Sequence, residues 1–351
     1  MASNEEGTGT MKTAAVFGPK QGGVVDAPNP TAGENWVVVK IHTAPMCTEF
    51  KVYVSGREAP YLGHEAAGEV VEVAQPCRVN VGDRVVVMPQ TPCGQCELCL
   101  DGEYIHCLDS EEPPPQPDGA EGRATMSQFM LKQDWMLVPI PDGISYDHAS
   151  MACCGLGPTF GAVQRANIGP DDSLMITGLG PVGLGGVING THRGATVIGV
   201  DVNNYRAAKA IELGASTVID PTDPDALDQV LALTRDGRGV DHSIDCSGVV
   251  AAHRFCIDAT RSKGTVSFVG ESGTDATPIH VSTDMLRKGL SLHGSWHYNM
   301  ADTPQILRVI AANPAKLDKL ITHTFPLDRV ADAWDLQATG QCAKVLLKPW
   351  Q

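Results

Sequence analysis

The sequence predicts an α/β protein of two domains, one on a doubly wound parallel sheet and one mainly of β-strands in a partly barrel-shaped arrangement. Its 351 residues are about twice the usual length of one domain. Short valine-rich runs broken by Gly and Pro fill the first part, and strand-length apolar runs alternate with helical stretches from about residue 158. We therefore expect a parallel-sheet domain at 158–295 and a β-rich domain at 1–157 and 296–351.

Individual strands are predicted where β-branched residues cluster between turn-forming residues. In the β-rich part these runs are Ala14–Phe17, Val37–Ile41, Ala67–Val73 and Arg84–Met88. In the parallel-sheet part they are Ser173–Thr177, Thr196–Val200, Ser216–Ile219, His242–Asp245 and Thr265–Val269. Because helical stretches connect the second set, we expect those strands to lie parallel. The tail after about residue 295 is too short for a domain, so we expect it to pack onto the β-rich part.

The composition limits the classes of partner. Hydrophobic residues make up 42% of the chain and charged residues 19%, as in an ordinary globular protein. The net charge of −15 repels phosphate backbones, so no nucleic-acid partner is expected. No window approaches the ~20 apolar residues of a membrane span, so we expect no membrane partner and a cytoplasmic protein. Residues 1–10 are acidic and polar and are expected to form a disordered leader before Met11.

Four of the eleven cysteines lie close together, at Cys93, Cys96, Cys99 and Cys107. In a chain without a secretory signal, such spacing is more typical of metal ligands than of disulfides. Four thiolates fill a tetrahedral zinc shell and leave no position for a substrate, so the spacing predicts a structural zinc lobe. A loop without metal and an iron–sulfur cluster are the alternatives. The acidic, proline-rich residues 108–124 that follow are expected to form an exposed loop, and no chemistry is assigned to them.

A glycine-rich run directly follows the strand that ends at Thr177, and it reads Gly178-Leu179-Gly180-Pro181-Val182-Gly183. A strand before it, a helix after it and an acidic residue at the end of the next strand are the context of a Rossmann dinucleotide site. That acidic residue is Asp201, whose carboxylate suits ribose hydroxyls and repels a 2′-phosphate, so NAD is favoured over NADP. Arg206 weakens this preference slightly, because a guanidinium can pair with a phosphate.

A second set of metal ligands is spread along the chain: Cys47, His64 and one cysteine of the pair Cys153 and Cys154. Two thiolates and one imidazole leave a coordination position open for water or substrate, as in catalytic zinc sites. From spacing alone, cysteines buried as small hydrophobic residues and a structural histidine are the somewhat better interpretation.

The sequence resembles the zinc-dependent medium-chain dehydrogenase/reductase family, the alcohol and polyol dehydrogenases, from Met11 to Trp350. The matching segments are Gly63–Gly68, Val81–Val85, the four-cysteine lobe, Gly178–Gly183 with Gly199–Asp201, and Asp245–Gly248. Their common order and spacing make the resemblance specific. It implies a GroES-like β-rich catalytic domain beside the Rossmann domain, and a homodimer or homotetramer.

The resemblance also implies the ligands of a catalytic zinc. These would be Cys47, His64 and Cys154, with Cys153 in reserve, and Glu65 would be an acid that approaches the metal and assists ligand exchange. Family members usually carry Ser or Thr two residues after the first ligand, where this chain has Glu49. Three interpretations follow: Glu49 is the general base, Glu49 binds the metal through a carboxylate oxygen, or Thr48 takes over the hydroxyl's role.

The expected function is oxidation of a secondary alcohol to the ketone by hydride transfer to NAD, with one catalytic and one structural zinc per chain. The carboxylates of Glu49 and Glu65 favour a polyol, cyclitol or amino-cyclitol as the small-molecule substrate. Simple aliphatic or aromatic alcohols are the alternative substrates. A reductase of the same fold without catalytic zinc and a non-enzymatic nucleotide-binding protein are the rival classes.

Overall fold

The computed structural model describes residues 9–116 and 120–351. The leader expected over residues 1–10 therefore falls, up to residue 8, outside the described residues. The chain divides into two compact units. The first comprises Met1–Cys153, His323–Thr339 and Val345–Gln351, and the second comprises Cys154–Thr322 and Gly340–Lys344.

These bounds differ from the expected division at the end of the second unit, which extends to Thr322 rather than to residue 295. Side-chain contacts give the reason. Leu317 and Leu320 are fully buried, and Nζ of Lys316 donates a hydrogen bond to Oγ1 of Thr191, 2.6 Å away. The segment after residue 295 thus packs on the parallel-sheet unit before the chain returns to the first unit.

The secondary structure is as follows. The strands are β1 (Thr10–Gly18), β2 (Gln21–Pro28), β3 (Trp36–Pro45), β4 (Ala66–Glu72), β5 (Arg84–Val87), β6 (Phe129–Gln133), β7 (Leu137–Pro139), β8 (Ser173–Thr177), β9 (Thr196–Val200), β10 (Thr217–Ile219), β11 (Val240–Asp245), β12 (Thr260–Phe268), β13 (Ser291–Gly294), β14 (Ile321–Pro326) and β15 (Lys344–Lys348). The α-helices are α1 (Glu49–Ser55), α2 (Glu97–Leu100), α3 (Tyr146–Ser150), α4 (Gly157–Arg165), α5 (Pro181–His192), α6 (Asn204–Leu213), α7 (Ala226–Ala232), α8 (Val250–Ala259), α9 (Thr303–Ala312), α10 (Pro314–Leu320) and α11 (Val330–Thr339).

The first unit is built on antiparallel pairing. β1 and β2 form a hairpin, and a larger sheet runs in the order β14-β15-β3-β4-β5-β7, with β6 paired to β3. β3 is the central strand and is buried over most of its length, which suits its valine-rich sequence. Gly68 on β4 allows the close pairing with β3, because a Cβ there would lie 2.2 Å from the carbonyl oxygen of Lys40.

The second unit holds a six-stranded parallel sheet in the order β10-β9-β8-β11-β12-β13. This order is the doubly wound arrangement of dinucleotide-binding domains, in which the first strand of the unit lies at the centre of the sheet. Apolar runs such as Leu174–Ile176 are completely buried because helices cover both faces.

The fold predicted from the sequence is confirmed, and each predicted strand run coincides with a strand to within a few residues. The pattern did not predict β13 or the π-helix Val281–Arg287 before it, whose apolar residues are largely exposed. Among the described residues, no helix has the length and apolar character that crossing a bilayer requires.

Candidate functional site

The four clustered cysteines face one another in the first unit. The sulfur atoms of Cys93, Cys96, Cys99 and Cys107 all lie within 4.8 Å of one another. Backbone amides point at the sulfurs: the N–H of Cys96 donates to Sγ of Cys93 at 3.3 Å, and the N–H of Cys93 donates to Sγ of Cys107 at 3.2 Å. The amide of Leu108 lowers the pKa of Cys96 to about 6, which favours the thiolate that a metal requires.

A second group with the spacing of metal ligands comprises Cys47, His64, Glu65 and Cys154. One donor atom from each residue lies within 4.8 Å of the others. Cys47 follows β3, and His64 and Glu65 come directly before β4. Cys154 is joined by a peptide bond to Cys153, the last residue of this part of the first unit.

Local geometry explains how His64 is placed and why Cys153 is not part of this group. Gly63, with φ of +98°, directs the chain into His64, and a Cβ there would lie 2.5 Å from Oγ1 of Thr125. The thiol of Cys153 donates instead to the carbonyl oxygen of Val87 at 3.3 Å, in a fully buried position. The structure therefore groups Cys154, and not Cys153, with the other donors.

Glu49 is in contact with this group through both carboxylate oxygens. Oε1 lies 2.8 Å from Nδ1 of His64, and Oε2 accepts a hydrogen bond of 2.8 Å from the backbone N–H of Cys47. Burial alone disfavours each charge, but the mutual attraction outweighs it, so the pKa of His64 is well above its usual value and the pKa of Glu49 is lowered. A carboxylate on one imidazole nitrogen leaves the other nitrogen to bind a metal.

The donor chemistry of both groups fits zinc. Four thiolates make a closed structural shell, whereas two thiolates, an imidazole and a carboxylate suit a catalytic ion. Glu65 is completely buried, and a cation beside it would offset the cost of burying its charge. Each group could therefore hold one zinc ion.

A cavity of about 280 Å³ lies beside His64 in the first unit. Its lining comes from α1 and from the two loops around residues 57–64 and 123–124. The lining residues are Thr48, Glu49, Val52, Arg57, Tyr61, Leu62, Gly63, His64, Arg123 and Ala124. Thr48 is exposed, and its side chain does not cap α1. No sequence pattern singles out Arg57, Tyr61 or Arg123, because their positions depend on how the loops fold together.

The glycine run of the second unit has the geometry of a dinucleotide turn. Gly178 has φ of +80°, and a Cβ on Gly183 would lie 2.0 Å from the carbonyl oxygen of Gly178. Nothing lies within 4 Å of a Cβ built on Gly180, so the backbone is open to a ligand there. α5 begins at Pro181 without a side-chain cap, and Leu179 and Val182 complete the run. The helix N-terminus can therefore stabilise a pyrophosphate.

Asp201 lies at the end of β9 beside this turn. Its Oδ2 accepts a hydrogen bond of 2.6 Å from the N–H of Leu179, and its Oδ1 accepts one of 2.8 Å from the N–H of Asn203. The carboxylate is thus fixed where a ribose would meet it. Arg206 is half-buried on α6, and its Nε has no hydrogen-bond partner among the residues that the structure describes.

A buried network supports the same turn from β11. Asp245 is completely buried and accepts hydrogen bonds from the hydroxyls of Thr177 at 2.7 Å and Ser247 at 2.6 Å. Its other oxygen lies 3.1 Å from Nε2 of His253. Ser247 in turn packs against Gly178, where a Cβ would lie 2.7 Å from Ser247 Cα. The contact of His253 with Asp245 could not be predicted from the sequence, since a single histidine on a helix is usually structural.

Comparison with known proteins gives matches over both units. The model of the alcohol dehydrogenase GroES-like domain matches residues 33–142, and that of the zinc-binding dehydrogenase domain matches residues 181–312. Sorbitol dehydrogenase of Bacillus subtilis is 30% identical, over 97% of this chain and 97% of its own. L-threonine 3-dehydrogenase of Symbiobacterium thermophilum is 31% identical, over 92% of this chain and 93% of its own.

A solved structure shows the same fold. The alcohol dehydrogenase TADH from Thermus sp. ATN1 superposes with a TM-score of 0.87 at 22% identity, covering 96% of this chain and 99% of the other. Fold, sites and relatives together define an oxidoreductase that acts on CH–OH groups of small molecules. The chain belongs to the zinc-type medium-chain dehydrogenase/reductase family, with its GroES-like and Rossmann domains.

Proposed function

We propose that this protein is a zinc- and NAD-dependent dehydrogenase that oxidises a secondary alcohol of a polyol or cyclitol to the ketone. The observation that carries the proposal is the grouping of Cys47, His64, Glu65 and Cys154 within 4.8 Å. A cavity of about 280 Å³ beside His64 gives a small substrate access to it. This volume lies just below the roughly 300–1,000 Å³ of small-molecule sites, so the cavity suits a small substrate.

Cys47, His64 and Cys154 would hold the catalytic zinc, and Glu65 would approach it as the acidic partner. When bound, zinc supplies a Lewis acid that lowers the pKa of a substrate hydroxyl. The closed four-cysteine set would hold the structural zinc.

Residues around this site would move the proton and position the ligands. Both oxygens of Glu49 are engaged, by His64 and by the backbone of Cys47, so we assign Glu49 the role of orienting His64. The hydroxyl of Thr48 is exposed and lines the cavity, so we assign it the proton transfer away from the substrate. This choice favours the second of the two proton paths that the sequence allows.

The cofactor would bind on the second unit. The turn Gly178–Gly183 and the start of α5 would hold the pyrophosphate, and Asp201 would accept hydrogen bonds from the adenosine ribose. A 2′-phosphate would meet the charge of Asp201, which supports NAD over NADP; Arg206 is the nearby cation that would moderate this preference.

The test measures NADH formation through its ultraviolet absorbance. The substrates are polyols, cyclitols, amino-cyclitols and simple alcohols. Cys154→Ser should abolish turnover because it removes a proposed ligand, whereas the adjacent Cys153→Ser serves as the matched control and should retain it. Equal loss in both variants, or NADH formation that survives in Cys154→Ser, would reject the assignment.

A homodimer or homotetramer is part of the proposal. β13 is the last strand of the parallel sheet, so one of its edges has no partner strand among the described residues. Beside it the π-helix exposes Val281, Met285 and Leu286, the last at 75% exposure. An open edge next to exposed apolar side chains favours association with a second copy.

A further inference from the structure

The cavity beside His64 carries two arginines from separate loops of the first unit. Arg57 follows α1, and Arg123 comes from the end of the acidic, proline-rich loop to which the sequence assigned no chemistry. Tyr61 also lines this cavity. An alcohol that reaches His64 through this cavity therefore passes charged side chains, and their net charge bears on which alcohols are accepted.

The charge of Arg123 is already compensated. Its guanidinium contacts Oε2 of Glu112, and its Nε lies 3.6 Å from Oε2 of Glu121. Glu121 also accepts a hydrogen bond from the hydroxyl of Tyr61, which raises the pKa of that tyrosine. Arg123, Glu112 and Glu121 thus form a network of one positive and two negative charges at one side of the cavity, in which the charge of Arg123 is more than balanced.

The negative charge of Glu49, which also lines the cavity, is compensated as well, because its Oε1 lies 2.8 Å from Nδ1 of His64. Arg57 is different. Within the described ranges 9–116 and 120–351, no carboxylate oxygen lies within the 4.0 Å of an ion pair from its guanidinium. Among the described residues that line the cavity, Arg57 is thus the charged side chain without an ion-pair partner, and its charge is positive.

The backbone that carries Arg57 is held in place. Gly56 has φ of +75°, and a Cβ there would lie 2.3 Å from the nitrogen of Pro19. Two residues after Arg57, Ala59 exchanges backbone hydrogen bonds with Val16 at 2.8 and 3.0 Å. Because the chain is fixed on both sides, only the arginine side chain remains free to adjust to a ligand.

We propose that Arg57 is a specificity-determining residue that binds an oxyanion of the substrate, so that this site prefers secondary alcohols bearing a carboxylate or phosphate over neutral or amino polyols. This inference rests on the proposed function. A guanidinium pairs with two oxygens of either anion, which gives orientation as well as affinity. The chain has a net charge of −15, so an anionic substrate needs such a local cation.

The first experiment compares substrates that share one polyol chain. These are D-sorbitol, D-gluconate, D-sorbitol 6-phosphate and the amine D-glucamine, each with NAD. We expect kcat/KM for gluconate or for the phosphate to exceed that for sorbitol by about tenfold, with glucamine the poorest, as a charged hydrogen bond would give. The better of the two anions identifies the natural oxyanion. A preference for sorbitol or glucamine would overturn the proposal.

The second experiment changes the arginine. Arg57→Gln should lower kcat/KM for the preferred anion about tenfold more than for sorbitol, chiefly through KM, and Arg57→Lys should recover part of the difference. Arg308 is an exposed arginine of α9 in the second unit. Arg308→Gln is the control and should change kcat/KM for neither the anion nor sorbitol. An equal effect of Arg57→Gln on sorbitol and on the anion would overturn the proposal.

A binding measurement separates this inference from the proposed function. Calorimetric titration of gluconate and sorbitol 6-phosphate into wild type and Arg57→Gln requires no turnover. Weaker binding in Arg57→Gln supports the anion site even where no NADH forms, an outcome that would refute only the dehydrogenase proposal. NADH formation with anion binding unchanged in Arg57→Gln would leave the dehydrogenase standing and refute the anion site.

Discussion

Glu49 shows how one side chain connects several features of the site. It is 6% exposed, its Oε1 lies 2.8 Å from His64, and its Oε2 accepts the N–H of Cys47. A carboxylate so placed fixes the tautomer and the direction of a ligating imidazole. Its geometry suits orientation of a ligand better than removal of a substrate proton.

Glu49→Gln distinguishes these two roles. If Glu49 orients His64, zinc affinity at this site should fall by about 10–100-fold, and excess zinc should restore turnover. If Glu49 is the base, turnover should fall by about 10²–10⁴-fold with zinc content intact. Zinc titration and kinetics on the same preparations distinguish the two roles. Glu58→Gln, which changes an exposed glutamate, is the control.

Lys132 on β6 gives a pH-dependent prediction. The side chain is 3% exposed and donates to the carbonyl oxygen of Gln90, and burial lowers its pKa to about 7. Between pH 7 and the unfolded pKa near 10.5, the unfolded state binds more protons, so the free energy of unfolding rises with pH over this window. Below pH 7 the cost of burying the charge is fully present.

Lys132→Met should therefore stabilise the protein at pH 7 by about 2 kcal/mol, with a smaller gain at pH 10. Urea unfolding at both pH values measures the difference from wild type. The exposed Lys51→Met should change little at either pH. A Lys132→Met effect that is the same at pH 7 and pH 10 would show that the lysine is not neutral in the folded state.

At the residue scale, the sequence predicted the donors of the second metal group but not their surroundings. Cys47, His64, Glu65 and Cys154 follow from the family resemblance, and the structure groups them. Arg57 and Arg123 meet at one cavity only because two loops fold beside α1. Contacts between loops that are distant in sequence produce no periodicity or motif, so the sequence could not predict them.

At the scale of elements, the turn before α5 combines two different requirements for glycine. A Cβ on Gly183 would lie 2.0 Å from the carbonyl oxygen of Gly178, whereas nothing lies within 4 Å of a Cβ on Gly180. Gly183 is thus needed for the fold of the turn, and Gly180 is needed for the approach of a ligand.

Two alanine variants separate these requirements. Gly183→Ala should lower the free energy of unfolding by about 1–3 kcal/mol through the clash with the turn. Gly180→Ala should leave stability within about 0.5 kcal/mol but weaken NADH binding at least about tenfold, because its Cβ occupies the path of the pyrophosphate. Thermal unfolding and titration of NADH fluorescence measure the two effects. Normal NADH binding by Gly180→Ala would contradict this placement of the cofactor.

Elements were predictable where the sequence pattern is regular. β8 and β9 match their predicted bounds residue for residue, since buried parallel strands are continuous apolar runs. β13 is short and half-exposed, so its residues carry no such run. The helices α9 and α10 were expected to accompany the β-rich part, but their apolar faces pack in the second unit instead.

At the scale of the whole molecule, the open edge of β13 predicts self-association. Light scattering should give a mass of at least twice the 37.2 kDa of one chain. Leu286→Glu places a charge on the exposed apolar surface and should shift the mass toward 37.2 kDa. Leu233→Glu changes another exposed leucine, elsewhere in the second unit, and should leave the mass unchanged. A monomeric wild type would reject this surface as an interface.

The most direct test of the account is the zinc content of purified wild type, Cys154→Ser and Cys153→Ser, measured by plasma mass spectrometry beside NAD reduction. We expect two zinc ions per chain in wild type and Cys153→Ser, and one in Cys154→Ser, with activity lost only in Cys154→Ser. One zinc ion in wild type, or two in an active Cys154→Ser, would contradict the catalytic site assigned to Cys47, His64 and Cys154.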